Sequence, residues 1–492
     1  MSLGVHDRPR SAATLYGCSR PLAIAEHLRI PHRVEGDRDG QPLERLRTPS
    51  GAQLLWPGAG AGERPALAAR VHAAAGAPIP IFAPLLDDRR AQELLAERGG
   101  EWSRALALTG EDGERVASIW RERDGSVLLP FDPDEVCRSF WSERYLELAG
   151  SGASRRTGRG LVWAYYRIRA LLPRPLQIWL RRRYARVQAR SRFPSWPAET
   201  ALHDLFDLFT SILADVAGEP VPSLASWPDG HTWALVLTHD VETAAGVAAL
   251  DPILELERGL GLRSSWNFVP RRYSVSDERI RQLHADGFEV GVHGLLHDGR
   301  DLESHARMRE RLPGMHEAAA RWSAVGFRSP ATQRHWELMP QLGFDYDTSY
   351  PDSDPFEPQG GGCCTWLPFF NGRMVELPMT MPQDHTLFAI LRHRDETAWV
   401  QKAELLRERG GMALIDTHPD YLVEDTVKDA YARLLERCAG DEDAWKALPR
   451  EVAAWWRRRA ESLPERGPHG WTVTGPAAGE ARVQMLEGSP WR

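Results

Sequence analysis

The stretch Trp233–Glu242 reads WALVLTHDVE, an apolar run that ends in polar residues, and it sets the pattern for the second half of the chain. Ala234–Leu237 is the first of seven short apolar runs of strand character, and helical stretches separate most of them. Strands that alternate with helices predict an α/β fold whose parallel sheet is closed, or nearly closed, into a barrel. The other strand-like runs are Ser265–Val269, Phe288–Val292, Val325–Phe327, Phe344–Tyr346, Met374–Leu377 and Met412–Ile415. Helices are predicted between them at Asp251–Arg258, Ser276–Asp286, Leu302–Trp322, Trp336–Leu342, Thr397–Arg409 and Thr426–Cys438.

The chain of 492 residues divides by its patterns into four segments. Residues 1–155 contain strand-like runs at Ile79–Leu85 and Ser126–Phe131 around a helical stretch at Asp88–Arg98, which predicts a smaller N-terminal α/β domain of unknown role. Residues 156–230 are predicted to be a basic helical linker region. Residues 231–460 are predicted to form the barrel, and residues 461–492 a C-terminal tail.

Overall composition excludes several classes of protein. Lys and Arg number 61 against 68 Asp and Glu, a net charge of -7, which argues against a nucleic-acid partner because such proteins carry a basic footprint. The five cysteines are scattered and form no CxxC pair, so neither a disulfide framework nor a cysteine zinc site is predicted. Met1–Arg10 is polar with no apolar run behind it, so no signal peptide is predicted and we expect a cytoplasmic location.

The stretch from Trp163 to Arg192 combines arginines with aromatic residues on predicted helices. A basic amphipathic helix of this kind can lie on an anionic membrane surface, which would give the protein a peripheral membrane contact through residues 163–192. The alternative is an interdomain helix whose apolar side packs on the barrel while its arginines face water.

Polar residues follow the predicted strands at the end where a barrel carries its active site. Asp240 and Glu242 lie two residues apart at the end of the first strand, and therefore project on the same side. His293 and His297 follow the third strand in the sequence HGLLHD, and two imidazoles four residues apart can reach one metal ion. A neighbouring carboxylate would complete a metal site with open positions for water and substrate.

Two more strands deliver charged or titratable side chains to the same end. Arg328 follows the fourth strand, where its charge would keep a nearby carboxylate ionised and oriented. His418 follows the last strand, and its tunable pKa suits protonation of a leaving amine.

In this order, the segments THDVE, HGLLHD, FRSP, FDYDTSY and LIDTHP resemble the motifs of the polysaccharide deacetylase family, which is carbohydrate esterase family four and includes the nodulation-type chitooligosaccharide deacetylases. The resemblance covers roughly residues 231–440. It implies a deformed (β/α)7 barrel and a divalent metal, usually zinc, held by an acid and two histidines. It also implies removal of acetyl groups from N-acetylglucosamine units or, in some branches, hydrolysis of other amides and cyclic imides.

Carried over residue by residue, the resemblance makes His293 and His297 metal ligands, Asp240 the general base, Arg328 its tether and His418 the general acid. One departure concerns the first motif, which usually holds two adjacent aspartates. Here Val241 follows Asp240, and the second carboxylate is Glu242. Either Glu242 is the third metal ligand and Asp240 the base, which we prefer, or Asp240 binds the metal and another group is the base.

The sequence therefore predicts a metal-dependent hydrolase that cleaves a C–N amide bond, most directly an N-deacetylase acting on an N-acetylated sugar of a glycan or glycolipid precursor. Two alternatives remain. The first motif, which departs from the usual pair of adjacent aspartates, also fits an amidohydrolase acting on a small cyclic amide or imide. Activity on such compounds would reveal this function. The chain could instead be a catalytically silent carbohydrate-binding barrel, which a metal assay would test. No oligomeric state is predicted.

Overall fold

The computed structural model describes residues 15–35, 41–58, 67–73, 77–148, 173–191 and 193–491. The chain forms two compact units. The first, which we call the mixed-sheet unit, comprises residues 1–137, 204–225 and 459–492; the second, the barrel unit, comprises residues 138–203 and 226–458. This division differs from the predicted segments, since residues 461–491 and 204–225 join the first unit and residues 138–148 the second. Residues 149–172 of the predicted linker lie outside the described residues.

The described residues of the mixed-sheet unit build a nine-stranded sheet of order β2-β1-β3-β4-β9-β8-β7-β5-β6. The predicted strands near Ile79 and Ser126 are β6 and β9, and the predicted helix Asp88–Arg98 is α2. The elements are β1 (Tyr16–Cys18), α1 (Ala23–Leu28), β2 (His32–Val34), β3 (Leu43–Arg47), β4 (Gln53–Pro57), β5 (Leu67–Val71), β6 (Ile79–Ala83), α2 (Asp88–Arg98), β7 (Trp102–Thr109), β8 (Arg115–Glu122) and β9 (Val127–Leu128).

Residues near the end of the chain add strands to the same unit. Val221–Leu224 (β10) pairs antiparallel with Val483–Leu486 (β22), and Leu463–Gly467 (β20) pairs antiparallel with Gly470–Thr474 (β21). The segment predicted as a tail is therefore structured, and its strands pair both with one another and with a strand far back in the sequence.

The barrel unit alternates strands and helices along the chain. Its strands are β11 (Trp233–Val241), β12 (Ser264–Phe268), β13 (Glu289–Val292), β14 (Gly326–Phe327), β15 (Tyr346–Asp347), β16 (Phe369–Asn371), β17 (Met374–Glu376), β18 (Met412–Thr417) and β19 (Ala444–Lys446). Its helices are α4 (Tyr145–Leu148), α5 (Arg174–Gln188), α7 (Ala244–Ala248), α8 (Leu250–Gly259), α9 (Asp277–Ala285), α10 (His305–Trp322), α11 (Thr397–Glu408), α12 (Pro419–Leu422) and α13 (Asp425–Ala439). Along the chain, α3 (Pro133–Trp141), α6 (Ala201–Ala217) and α14 (Pro449–Ala460) span the boundaries between the two units.

The strands of the barrel unit form one sheet of order β16-β17-β15-β14-β13-β12-β11-β18, with β19 also paired to β11. All pairs are parallel except β16 with β17. The α/β class is thus confirmed, and the seven predicted strands correspond to β11–β15, β17 and β18.

The sheet is brought nearly to closure by the residues that follow β17. Met379 N–H donates to the carbonyl of Tyr350 at 2.7 Å, and Met381 N–H donates to the carbonyl of Leu414 in β18 at 3.1 Å. The Thr380 hydroxyl adds a bond of 2.6 Å to the carbonyl of Met412. This short segment therefore bridges the β15 side of the sheet to β18.

The apolar runs of the barrel strands are explained by burial on both faces. All nine residues of β11 and all six of β18 are buried, as expected for parallel strands with other elements packed on each side.

The start of a helix is fixed by local contacts. At the start of α9, the hydroxyl of Ser276 accepts a hydrogen bond from the N–H of Arg279. The helix predicted at Trp336–Leu342 is wrong, because only a 3-10 turn forms at Met339–Leu342, where Pro340 lacks an N–H.

Residues 138–148 are fastened to the barrel by buried polar contacts. The carboxylate of Glu143 receives two hydrogen bonds from Arg334, at 2.7 and 2.5 Å, and both side chains are buried. The hydroxyl of Tyr145 donates to the carbonyl of Gly362 at 2.8 Å. This segment is therefore an integral part of the barrel unit.

Helix α5 lies in the region predicted to be basic and helical, and one of its faces packs on the barrel. Ala185 is buried in a cluster with Phe356 and Ile390. Arg181 donates to the carbonyl of Phe356 at 2.5 Å and Arg182 to that of Ala389 at 2.9 Å, so these two arginines are engaged by the barrel and not free in water. Residues 163–172 and Arg192 of the predicted membrane segment lie outside the described residues. Within the described part of the chain, no helix is both long and apolar enough to cross a bilayer.

Candidate active site

The predicted site residues all stand where parallel strands end. Asp240 is the penultimate residue of β11 and Glu242 follows that strand, so the two carboxylates share a side while Val241 turns the other way. His293 follows β13, and His297 lies four residues on with a positive φ of 56°, which is uncommon for a residue other than glycine.

The first group consists of Glu242, His293 and His297, whose ligand atoms lie within 4.8 Å of one another. Nε2 of His297 is 2.9 Å from Oε1 of Glu242. Burial raises the pKa of Glu242, but His297, His418 and His293 together outweigh burial and bring the pKa well below its ordinary value. Glu242 is therefore an anion beside two imidazoles.

His293 is prepared to offer a lone pair. Its Nδ1 lies 3.1 Å from the carbonyl of Arg328, which only accepts, so Nδ1 carries the proton and Nε2 the lone pair. Burial lowers the pKa of His293 to about 4, which keeps the ring neutral. Among the described residues, Nε2 of His293 and Nε2 of His297 are both buried without a properly aligned hydrogen-bond partner. Such orphaned nitrogens next to a carboxylate fit the ligand set of a divalent metal such as zinc.

The other nitrogen of His297 adds a condition to this fit. Nδ1 lies against the guanidinium of the exposed residue Arg272, which can only donate. In this arrangement Nδ1 accepts and Nε2 carries the proton. A metal on Nε2 therefore requires Arg272 to turn away, so that Nδ1 can take up the proton.

The second group centres on Arg328, whose side chain is fully buried. Its Nη1 lies 3.2 Å from Oδ1 of Asp240 and 2.6 Å from Oδ1 of Asp416. Asn267 on β12 donates to the same Asp240 oxygen at 2.9 Å. Burial raises the pKa of Asp240, but the facing His293, Arg328 and His418, together with the hydrogen bond from Asn267, outweigh burial and leave the pKa below its ordinary value. Asp240 is thus an oriented carboxylate, and its other oxygen is 3.5 Å from Nε2 of His293.

The third group is a histidine–aspartate pair. Nδ1 of His418 lies 2.6 Å from Oδ1 of Asp384, and the backbone N–H of His418 donates to the other Asp384 oxygen at 2.7 Å. Burial lowers the pKa of His418, but Asp384 and then Asp416 outweigh it and hold that pKa well above its ordinary value. Nε2 of His418 lies 3.8 Å from Oε1 of Glu242. A protonated imidazole therefore faces the first group.

The structure brings all six predicted residues together, namely Asp240, Glu242, His293, His297, Arg328 and His418. Sequence reasoning missed three residues that hold them. Asp416 stands within the quoted segment LIDTHP, and Asn267 within a predicted strand, so their positions at strand ends were a usable signal. For Asp384 the sequence offered no signal, because this residue lies outside every motif and just before a π-helical turn at His385–Leu391.

Comparison with solved structures finds similar chains. A Mycobacterium smegmatis protein named a polysaccharide deacetylase is 21% identical over 49% of this chain and 95% of its own, with a TM-score of 0.38. A Pseudomonas aeruginosa protein, also named a polysaccharide deacetylase, is 18% identical. The match covers 50% of this chain and 97% of that protein, with a TM-score of 0.38. The chain is similar to polysaccharide deacetylases. The allantoinase Puue is 17% identical. The match covers 49% of this chain and 95% of that protein, with a TM-score of 0.39.

The names of the Mycobacterium smegmatis and Pseudomonas aeruginosa proteins include the family that the motifs resemble. At such identities and TM-scores the likeness fixes neither a metal nor a substrate for this chain. No family model matches the sequence, and no curated protein matches it.

Proposed function

We propose that the barrel unit is a metal-dependent hydrolase that cleaves a C–N amide bond. The observation that carries this proposal is the placement of a proton acceptor and a proton donor beside one ligand set. The carboxylate of Asp240 is 3.5 Å from Nε2 of His293, and Nε2 of His418 is 3.8 Å from Glu242. Amide hydrolysis needs both groups, since water must lose a proton as it attacks and the amine must gain one as it leaves.

Glu242, His293 and His297 are the residues that would hold the metal, most suitably Zn2+. When bound, a divalent cation supplies Lewis acidity that polarises a carbonyl and makes water more acidic. Asp240 takes the proton of the attacking water. Its lone pairs are aimed by Arg328 and Asn267, so the acceptor is oriented before the reaction begins.

His418 completes the reaction by giving its Nε2 proton to the departing nitrogen. Asp384 fixes the ring through Nδ1 and favours the protonated form, so the donor is present at neutral pH. The protons also balance over the reaction cycle. One proton arrives at Asp240 from water, one leaves His418 for the amine, and proton exchange with solvent restores both residues after product release.

The substrate we propose is an N-acetylated sugar in a glycan or glycolipid precursor, which is what the ordered motifs imply. The test begins with metal analysis of purified protein, followed by a screen for acetate release from N-acetyl sugars, sugar nucleotides and glycolipids. We expect release by the wild-type protein after loading with Zn2+. His418→Ala should retain the metal and lose about a hundred- to ten-thousand-fold in rate, while His305→Ala, an exposed histidine, serves as the matched control. Equal rates for the two variants would contradict the role of His418.

A second candidate is hydrolysis of a small cyclic amide or imide. The observation that favours it is the carboxylate at position 242, since this departs from the adjacent aspartates of the usual sugar deacetylase motif. Hydantoins and succinimides belong in the same screen. Ring opening of these compounds without acetate release from any sugar would decide for this candidate. Failure of the metal-loaded protein on both groups would support a silent carbohydrate-binding barrel instead.

A further inference from the structure

Helix α5 has a second face that is not covered by the barrel. Opposite the buried Ala185, three large apolar side chains are exposed: Leu176 by 41%, Trp179 by 54% and Val187 by 59%. Their spacing of three and eight residues places them along one side of an α-helix. The arginines on this side are exposed as well. The exposed face of α5, as we define it, consists of Leu176, Trp179, Arg183, Arg186, Val187 and Arg190.

Charge on this helix is of one sign. Between Arg174 and Ser191 the sequence has six arginines and no aspartate or glutamate. Of the five arginines in this stretch whose side chains the structure describes, Arg181 and Arg182 donate to barrel carbonyls, whereas Arg183, Arg186 and Arg190 are exposed. The guanidinium of Arg183 lies 5.5 Å from the ring of Trp179, so the aromatic residue and a cation occupy the same spot on the surface.

We propose that the exposed face of α5 docks on the surface of an anionic lipid bilayer. Apolar residues, a tryptophan and arginines on one face are the combination that an interfacial helix uses, with its apolar side chains entering the headgroup region and its cations meeting lipid phosphates. Acidic groups on a protein would pair with the arginines, but they would offer no apolar surface to Leu176, Trp179 and Val187. A bilayer satisfies both, and the helix needs no partner-specific groove.

The structure also separates two sets of arginines that the sequence could not distinguish. Arg181 and Arg182 hold the helix on the barrel, whereas Arg183, Arg186 and Arg190 are available to lipid. An arginine near an anionic leaflet strengthens binding about five-fold, the equivalent of about 1 kcal/mol. The three arginines together are therefore expected to contribute roughly a hundred-fold to the partition coefficient.

The test is co-sedimentation of the full chain with vesicles, either pure phosphatidylcholine or equal parts phosphatidylcholine and phosphatidylglycerol. We expect binding to the anionic vesicles at about 0.1 M salt and its loss at about 1 M, because the Debye length falls from about 10 to about 3 Å. The triple variant R183E/R186E/R190E should lose at least roughly a hundred-fold in partitioning. Trp179→Ala should weaken binding without changing its salt dependence.

The matched control is R281E/R309E/R437E, which makes the same change of charge at exposed arginines on α9, α10 and α13. Circular dichroism checks that each variant folds. The proposal is overturned if the intact protein ignores anionic vesicles at low salt, or if the control triple loses as much binding as the α5 triple. Binding to polyglutamate without binding to vesicles would also overturn the proposal and would indicate an acidic protein partner. None of these outcomes depends on the reaction that the barrel catalyses.

Discussion

Replacing Asp384 with asparagine removes the negative charge that faces Nδ1 of His418 while keeping the size of the side chain. Asp384 is fully buried, and it contacts His418 twice, through the ring nitrogen at 2.6 Å and the backbone N–H at 2.7 Å. In the wild-type protein this carboxylate is the main influence that raises the pKa of His418 against the effect of burial. Asp384→Asn should therefore lower that pKa.

The size of the change follows from the kind of bond that is lost. A hydrogen bond to a charged group contributes about 1.5–3 kcal/mol, and one pKa unit corresponds to about 1.36 kcal/mol. The pKa of His418 should fall by roughly one to two units. Because His418 must be protonated to act as the acid, its pKa sets the alkaline limb of kcat/KM. That limb should move down by the same amount, toward lower pH.

The assay is the pH profile of kcat/KM on whichever amide substrate the screen identifies. Glu257→Gln is a matched control, because Glu257 is a buried carboxylate bonded at 2.7 Å to another histidine, His239, outside the candidate site. That variant should lose stability and keep the position of the alkaline limb. An alkaline limb that stays in place in folded Asp384→Asn would refute the assignment of His418 as the acid controlled by Asp384.

Three further predictions test the ligand set and the packing. Glu242→Ala should lose metal, whereas Asp240→Asn should retain metal and lose activity; the opposite pattern in metal analysis would reverse the two roles. Arg272→Ala removes the donor that competes for Nδ1 of His297, so metal affinity in a chelator competition should rise by up to about tenfold, and an unchanged affinity would show that this contact has no influence. Glu143→Ala leaves Arg334 buried without its partner and should cost about 3–5 kcal/mol in urea unfolding, so a loss below about 1 kcal/mol would contradict the importance of that pair.

The barrel strands and the site residues at their ends were predictable because both depend on local patterns. A strand buried on two faces is a short apolar run whatever lies beside it, as in Ala234–Leu237 and Met412–Ile415. The carboxyl ends of parallel strands meet at one edge, so polar residues such as Asp240, His293 and His418 could be expected to converge. These two rules needed no knowledge of which strands are neighbours.

Contacts between distant segments were not predictable in this way. Asp384 reaches His418 across 34 residues from a stretch with no periodicity, so nothing in its own surroundings indicates the pairing. The same holds for Arg181 and Arg182, which look like solvent-facing cations in sequence but donate to carbonyls near Phe356 and Ala389. The zinc ion and the acetylated sugar are still predictions, since they depend on groups outside the chain.

The pairing of β10 with β22 has a consequence for how the chain is made. Ser223 and its bonded partner Gln484 are 261 residues apart, and all the barrel strands from β11 to β19 are encoded between them. At a ribosomal rate of about 5–20 residues per second, β10 waits roughly 13–50 seconds for the strand that completes its ladder. During that interval a bare strand edge coexists with the nascent barrel strands, which are themselves competent to pair. Pro222 lies in the middle of β10 and offers no N–H, so the waiting strand presents one backbone donor fewer to any partner.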